Sequence, residues 1–212
     1  MLTFNRANAH RHLRIGDLIF IRVCARPFLE VASATCSWTN HVGIVVGNRG
    51  DDWLIAESTF PLSRITLLSR FLARSEHGVF AVARLRRPLG NLQESQLVSA
   101  ATRRMGVLYD TGFNLESRRQ FCSRFVREVI FEATGVLTGD VETFEMLLSR
   151  NSQHRIGFWK LWYFGRIPWQ RRTVTPASLL ESPEVHVLLD NWRETATGMQ
   201  SADDLESSSC SR

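Results

Sequence analysis

The chain almost lacks lysine: of its 26 basic residues only Lys160 is a lysine, and the others are arginines. These arginines are spread along the chain, with doublets such as Arg86–Arg87 and Arg171–Arg172, and do not form one basic stripe. Nucleic-acid-binding proteins combine such a stripe with a zinc finger, an RNP motif or a similar signature, and this sequence has neither. We therefore expect no nucleic-acid partner, although the net charge of +5 suits an anionic membrane or envelope partner.

Long apolar runs are also absent. No stretch approaches the roughly 18 residues that cross a bilayer. The first residues, MLTFNRANAHRHLR, contain no apolar segment of the kind found in secretory signal peptides. We expect a soluble protein that is cytoplasmic as made and that would need a dedicated secretion system to act elsewhere.

Cysteine is scarce: there are four, Cys24, Cys36, Cys122 and Cys210, with neither a CxxC pair nor the spacing of a zinc site. No nucleotide-binding motif is present either, so we expect no metal and no other cofactor. Cys24 and Cys36 lie in or near apolar segments, and we expect them to be core thiols. A disulfide between them has no support in the sequence.

The pattern of short apolar segments predicts strands and helices in mixed order. The predicted strands are 16–24, 41–47, 52–58, 79–85 and 185–190, and the predicted helices are 66–74, 93–105, 120–133, 142–150 and 175–182. Because several strands come early and the turns are short, we expect an α+β domain with an antiparallel sheet packed against helices. A single domain over residues 1–192, with a tryptophan-rich insertion at about 151–175, precedes a polar tail at 193–212 that we expect to be disordered.

Cys122 stands where an amphipathic helix is predicted to begin, and two interpretations of it are open. A free cysteine is commonly a buried packing residue. In the first turn of a helix, however, unpaired N–H groups and the helix dipole stabilise a thiolate. The backbone N–H of Cys122 or Ser123 would then point towards an oxyanion.

A nucleophilic thiol needs a base and a group that orients the base. Of six histidines, His41 is the best placed, because it begins a predicted strand and is held by a rigid element. Glu57, on the next strand of a predicted hairpin, could accept the His41 ring N–H and fix its tautomer. The alternative is that Glu57 is a solvent-exposed strand residue.

Several segments occur in the order seen in a known family. They are GDLIFIR, SWTNHVGIVVG, WLIAES, LYDTGFN and RQFCSRFV, and the later IPWQRRTVTPASLL is similar to YebB-type proteins. The chain therefore resembles the permuted NlpC-type papain-like cysteine hydrolases of the YiiX/YebB group over most of residues 14–190. In ordinary papain-like enzymes the cysteine precedes the histidine, whereas His41 precedes Cys122 here.

The resemblance implies a circularly permuted papain-like (NlpC-type) fold with Cys122 as nucleophile, His41 as general base and Glu57 as the third residue. Tyr109 matches a position that often lines the site. Further candidates for substrate or oxyanion binding are Ser123, Asn40 and Trp38.

The expected chemistry is acyl transfer through a thioester, and three functions compete. Hydrolysis of an amide bond in a bacterial cell-envelope peptide leads. The alternative is a phospholipase or lipid acyltransferase similar to the lecithin:retinol acyltransferase branch. An enzyme of either kind, if exported as a toxin, would need an immunity protein at home. A non-catalytic binding module on a degenerate papain-like fold is the third hypothesis.

The basic, tryptophan-rich segment 157–172 bears on the choice. Trp159, Trp162, Arg166 and Trp169 suit a membrane interface, where tryptophan and arginine are favoured. The spacing of Trp159, Trp162 and Tyr163 is equally consistent with one packed helical face.

Overall fold

The computed structural model describes residues 12–150 and 156–192. The predicted tail at 193–212, including Cys210, and residues 151–155 of the predicted insertion lie outside these ranges. The strands are β1 (Leu18–Ile21), β2 (His41–Arg49), β3 (Asp52–Glu57), β4 (Arg64–Leu67), β5 (Phe80–Leu85), β6 (Glu142–Thr143), β7 (Arg172–Thr173) and β8 (Val185–Asp190). The helices are α1 (Arg26–Ala34), α2 (Leu68–Leu72), α3 (Asn91–Arg103), α4 (Cys122–Thr134), α5 (Phe144–Ser149), α6 (Ile156–Trp162) and α7 (Pro176–Leu180), with a 3-10 turn at Glu76–Gly78.

Six of the strands form one antiparallel sheet in the order β4-β3-β2-β1-β5-β8, and β6 pairs with β7 in a separate ribbon. Both faces of the sheet centre are covered. In β1, Leu18 and Phe20 point into the core beneath the long helices, while Ile19 and Ile21 belong to a second core on the other face. This alternation follows from the two-residue period of a strand. The α+β class with an antiparallel sheet and helices is confirmed.

Helix α4 is the central helix, packed against α3 and β2. Phe125, Val126 and Val129 are fully buried along one face, as their spacing predicts. Gly135 ends the helix in the left-handed conformation, with φ 73°, a conformation that glycine adopts at low cost. The start of the helix at Cys122 is therefore fixed by the packing of its apolar face.

The segment predicted as one helix over 66–74 is divided. Residues up to Leu67 extend the sheet as β4, and only Leu68–Leu72 is helical. Helix α1 was not predicted. Its residues follow β1 directly, and Pro27 lies in its first turn.

The expectation that Cys24 and Cys36 are core thiols is wrong. Both are exposed and free. Cys24 lies between β1 and α1, and Cys36 follows α1 in a turn with φ 51°. The apolar neighbours that suggested burial point into the core, while these two residues occupy the connections.

Trp159 was proposed as a membrane contact, and the structure contradicts this, because its side chain is completely buried. Tyr163 stacks on Trp159 with ring planes 17° apart, and Trp162 donates its Nε1–H to the carbonyl of Thr111 at 3.0 Å. The packing interpretation of this helical face therefore holds. Trp169 remains partly exposed, as does its neighbour in the proposed set, Arg166. Within the described ranges, no helix is both long and apolar enough to cross a membrane.

Candidate active site

Cys122 is the first residue of α4 and is buried. Burial by itself raises the pKa of a thiol, but the positive charge of His41 and hydrogen bonds to the sulfur from His41 and the backbone of Val42 and Ser123 outweigh it and lower the pKa. The sulfur therefore lies between the start of a helix and the start of β2. This environment favours a thiolate paired with an imidazolium.

His41 is the first residue of β2, and its ring is enclosed. Its Nε2 lies 2.7 Å from Oε2 of Glu57. Phe28 packs edge-on against the imidazole and Phe71 stacks on it, with ring centroids 5.8 Å and 5.6 Å away. Burial lowers the pKa of His41, but the charge of Cys122 and hydrogen bonds to Cys122 and Glu57 raise it to about 9.

Glu57 ends β3 and is completely buried, so it is not a solvent-exposed strand residue. Its Oε2 accepts hydrogen bonds from His41 and from Arg74, the latter at 2.7 Å, and its Oε1 accepts one from Arg64 at 3.1 Å. Burial raises the pKa of the carboxyl, but His41 and Arg74 together lower it to about 2. Because the carboxylate is ionised, His41 donates from Nε2, which leaves Nδ1 for the thiol side.

Tyr109 precedes α4 in space, bridged to Gln120, and its ring is buried. Its hydroxyl has no nitrogen or oxygen partner in the described part of the chain. Burial and the negative charge of Cys122 raise the pKa of this phenol well above its usual value, while the Cys122 backbone acts in the opposite direction. A neutral hydroxyl donor therefore lies beside the thiol.

The other predicted residues occupy supporting positions. The Ser123 hydroxyl donates to the carbonyl of Val174 at 2.7 Å, so only its backbone N–H faces the sulfur. The Asn40 amide is held by both backbone groups of Val23. Ser123 and Asn40 line a cavity beside Cys122 of about 20 Å³, near the volume that one water requires. Trp38 instead stacks on Trp192, with centroids 6.0 Å apart, and is not part of that lining.

Sequence reasoning missed the residues around the histidine and glutamate. Arg74 bonds Glu57 and also stands over the Phe71 ring at 4.9 Å, while Phe71 stacks on His41. Arg64 and Phe28 complete the surroundings. These contacts join segments that are distant in sequence, and nothing in the local pattern marks them.

An open groove lies next to the site, and we call it the apolar groove. It has a volume of about 270 Å³ and is lined by Ala25, Pro27, Phe28, Phe60, Tyr109, Thr111, Phe113 and Trp162. A larger cavity of about 480 Å³, lined by Leu13, Ile19 and Phe80 among others, includes none of the residues around Cys122 in its lining.

A cysteine at a helix start, facing a strand histidine that is oriented by a buried carboxylate, is the arrangement of a papain-like hydrolase site, here with the histidine first in the chain. The chain belongs to the family of permuted papain-like amidase enzymes of the YaeF/YiiX, C92 type, whose model matches residues 12–189. Membership of this family supports a cysteine hydrolase-type activity.

Two comparisons with individual proteins agree with this assignment. The chain is 27% identical over 179 residues to the uncharacterized protein YiiX of Escherichia coli strain K12, covering 84% of this chain and 86% of YiiX. It is also similar in fold to the crystal structure of the metalloprotein yiiX from Escherichia coli O157:H7. That similarity has a TM-score of 0.75 and 24% identity, and covers 84% of this chain and 98% of the other.

Proposed function

We propose that the protein is a cysteine-dependent amide hydrolase in which Cys122 is the nucleophile, His41 the general base and Glu57 the residue that orients the base. The observation that carries this proposal is the position of His41, bonded at 2.7 Å to a buried, ionised Glu57 and coupled on its other side to Cys122. A purely structural histidine would not need a neighbouring thiol with a lowered pKa.

The residues support a two-step reaction. The Cys122 thiolate attacks the acyl carbon, the carbon–nitrogen bond breaks, and the His41 imidazolium gives its proton to the departing amine. Water then attacks the thioester while His41 accepts a proton from it, and the carboxylic acid leaves as the thiolate returns. Glu57 holds the ring and stabilises its charge without taking the proton.

Two donors are placed for the oxyanion. The N–H of Cys122 belongs to the first turn of α4, where backbone N–H groups have no partner within the helix. The Tyr109 hydroxyl lies beside the same residue, and both act on one another. We propose that these two groups, with the Ser123 N–H directed at the sulfur, stabilise the tetrahedral intermediate.

No step passes through a metal ion. The solved relative is titled a metalloprotein, but no group of three or more His, Cys, Asp or Glu side chains in residues 12–150 and 156–192 of this chain could hold one.

We propose an amide bond of a bacterial cell-envelope peptide as the substrate, supported by the amidase family and by the net charge of +5, which favours anionic partners. A lipid acyl substrate is the second candidate, and the apolar groove beside Tyr109 favours it. Export as a toxin with a matching immunity protein stays a prediction.

The experiment is mass spectrometry after incubation with muropeptides and, in parallel, with mixed phospholipid vesicles. Wild type, Cys122→Ala and Cys24→Ala are compared, since Cys24 is an exposed thiol away from the site. We expect products from wild type and Cys24→Ala and none from Cys122→Ala. Peptide fragments would identify an envelope amidase, and fatty acids a lipid hydrolase. Turnover that survives in Cys122→Ala would refute the mechanism, and no turnover by any variant on either substrate would favour a binding module.

A further inference from the structure

The apolar groove is open to solvent, and its wall is made mainly of rings. Phe60 is 68% exposed although it lines the groove. Large exposed aromatic side chains are costly in water, and a ring at the rim of a groove commonly marks a binding surface. The volume of about 270 Å³ is close to the lower end of the range for ligand pockets.

The groove leads to the reacting groups. Phe28 forms part of its wall and packs edge-on against His41. Tyr109 forms the adjacent part, 6.1 Å from Phe28, and its hydroxyl is next to Cys122. A molecule in the groove would therefore contact the rings that touch both members of the cysteine–histidine pair.

The polar groups of the lining are already engaged. The carbonyl of Thr111 accepts the Nε1–H of Trp162, and the Tyr109 hydroxyl is turned to Cys122. No charged side chain lines the groove. A peptide laid in it would leave its own N–H and C=O groups without partners, which is costly, whereas a hydrocarbon chain would lose nothing.

We propose that the apolar groove is an acyl-chain subsite, which holds the hydrocarbon chain of the acyl group that is transferred to Cys122. The substrate is thus an amphiphile whose scissile carbonyl carries an aliphatic chain. This inference rests on the proposed thioester mechanism and narrows its substrate from acyl amides in general to fatty-acyl compounds.

The test is kcat/KM for a series of p-nitrophenyl esters with acetyl, butanoyl, octanoyl and dodecanoyl groups. Cys122 attacks the acyl carbon, p-nitrophenolate leaves, and water releases the fatty acid from the thioester. Because each buried methylene contributes, we expect octanoyl to exceed acetyl by at least about tenfold. A second series, of acetyl esters with alcohols of increasing length, places the chain on the leaving-group side.

Two variants change the groove at exposed positions and should fold. Ala25→Trp fills its mouth, and Phe60→Ser removes part of its wall. Each should reduce the octanoyl-to-acetyl ratio by about tenfold or more. Phe164→Ser is the matched control, since this ring is 93% exposed and lies outside the lining, and it should leave the ratio unchanged.

The outcomes separate the two levels of the hypothesis. If no ester is turned over in a Cys122-dependent manner, the proposed mechanism fails. If acetyl and octanoyl esters react equally, or the rate follows the alcohol chain, the mechanism stands and the subsite is refuted. The same refutation follows if Phe164→Ser changes the ratio as much as Ala25→Trp.

Discussion

At the scale of single residues, the buried Cys122 thiol and His41 ring share a proton that the surroundings place on the ring. The positive ring lowers the pKa of the thiol, and the thiolate contributes to raising that of His41 to about 9. Replacing His41 by glutamine keeps a donor towards Glu57 but removes the charge. We therefore expect alkylation of Cys122 by iodoacetamide at neutral pH to slow by about tenfold or more in His41→Gln, because less thiolate is present.

Peptide mass spectrometry measures this rate separately for each cysteine. The exposed Cys36 serves as the internal reference within the same sample. Equal alkylation of Cys122 in both proteins, with Cys36 unchanged, would show that the ring does not control the thiol.

Arg74 is a second residue-scale determinant, acting through Glu57. It donates to the same Oε2 that accepts from His41, whereas Arg64 donates to Oε1. In Arg74→Met the carboxylate is less restrained and a nearby positive charge is lost. We expect kcat/KM to fall by about tenfold, a part of the general-base contribution, and the pH limb that reports His41 to move to higher pH.

Arg64→Met is the matched control for this prediction. It removes a charge of the same kind from the other carboxylate oxygen, and its side chain is half exposed. We expect a smaller loss and little movement of the limb. Identical pH profiles for wild type and Arg74→Met would reduce Arg74 to a structural role.

At the scale of elements, strand β2 needs a glycine two residues after His41. A Cβ at Gly43 would lie 2.5 Å from Cγ2 of Ile55 and 2.9 Å from Cε2 of Phe71, the ring that stacks on His41. Gly43→Ala would overpack the second core. We expect the free energy of unfolding, measured with urea, to fall by about 1–3 kcal/mol.

The same substitution at Gly157 is the comparison. An added Cβ there meets nothing within 4 Å, and alanine favours the helical state that α6 adopts. Stability should therefore be unchanged or slightly higher. Equal losses at the two glycines would mean that close packing around Gly43 is not the cause.

Elements with a strong local pattern were predictable from the sequence. The β2–β3 hairpin and helix α4 follow from alternation and from helical spacing closed by Gly135. Helix α1 and the division of 66–74 were not, because short segments take their conformation from the sheet they join. Strand β4 exists because it pairs with β3, and this pairing cannot be read from RITL alone.

The candidate site divides in the same way. His41, Glu57 and Cys122 could be selected because each occupies an informative place, a strand start, a hairpin and a helix start. Arg74 and Phe71 could not, since their contacts depend on how α2 folds over β3. Trp159 shows the opposite failure, where an amphipathic composition suggested a surface that the fold buries.

At the scale of the whole molecule, the Glu57 carboxylate joins four segments. It ends β3, and it binds His41 of β2, Arg64 of β4 and Arg74 beyond α2. Its charge is therefore part of what holds one edge of the sheet to its neighbours. Removing that charge should be felt in global unfolding and not only in catalysis.

Acid titration tests this idea. The pKa of Glu57 is lowered from 4.5 to about 2 in the folded chain, so the folded state binds this proton less readily than the unfolded state. The resulting stabilisation, about 3 kcal/mol, is present above pH 4.5 and is lost as the pH falls towards 2. Urea unfolding at successive pH values should show that loss in wild type. In Glu57→Gln, which cannot titrate here, stability should start lower and decline less steeply over the same interval. Parallel curves for the two proteins would mean that this carboxylate does not hold the edge of the sheet through its charge.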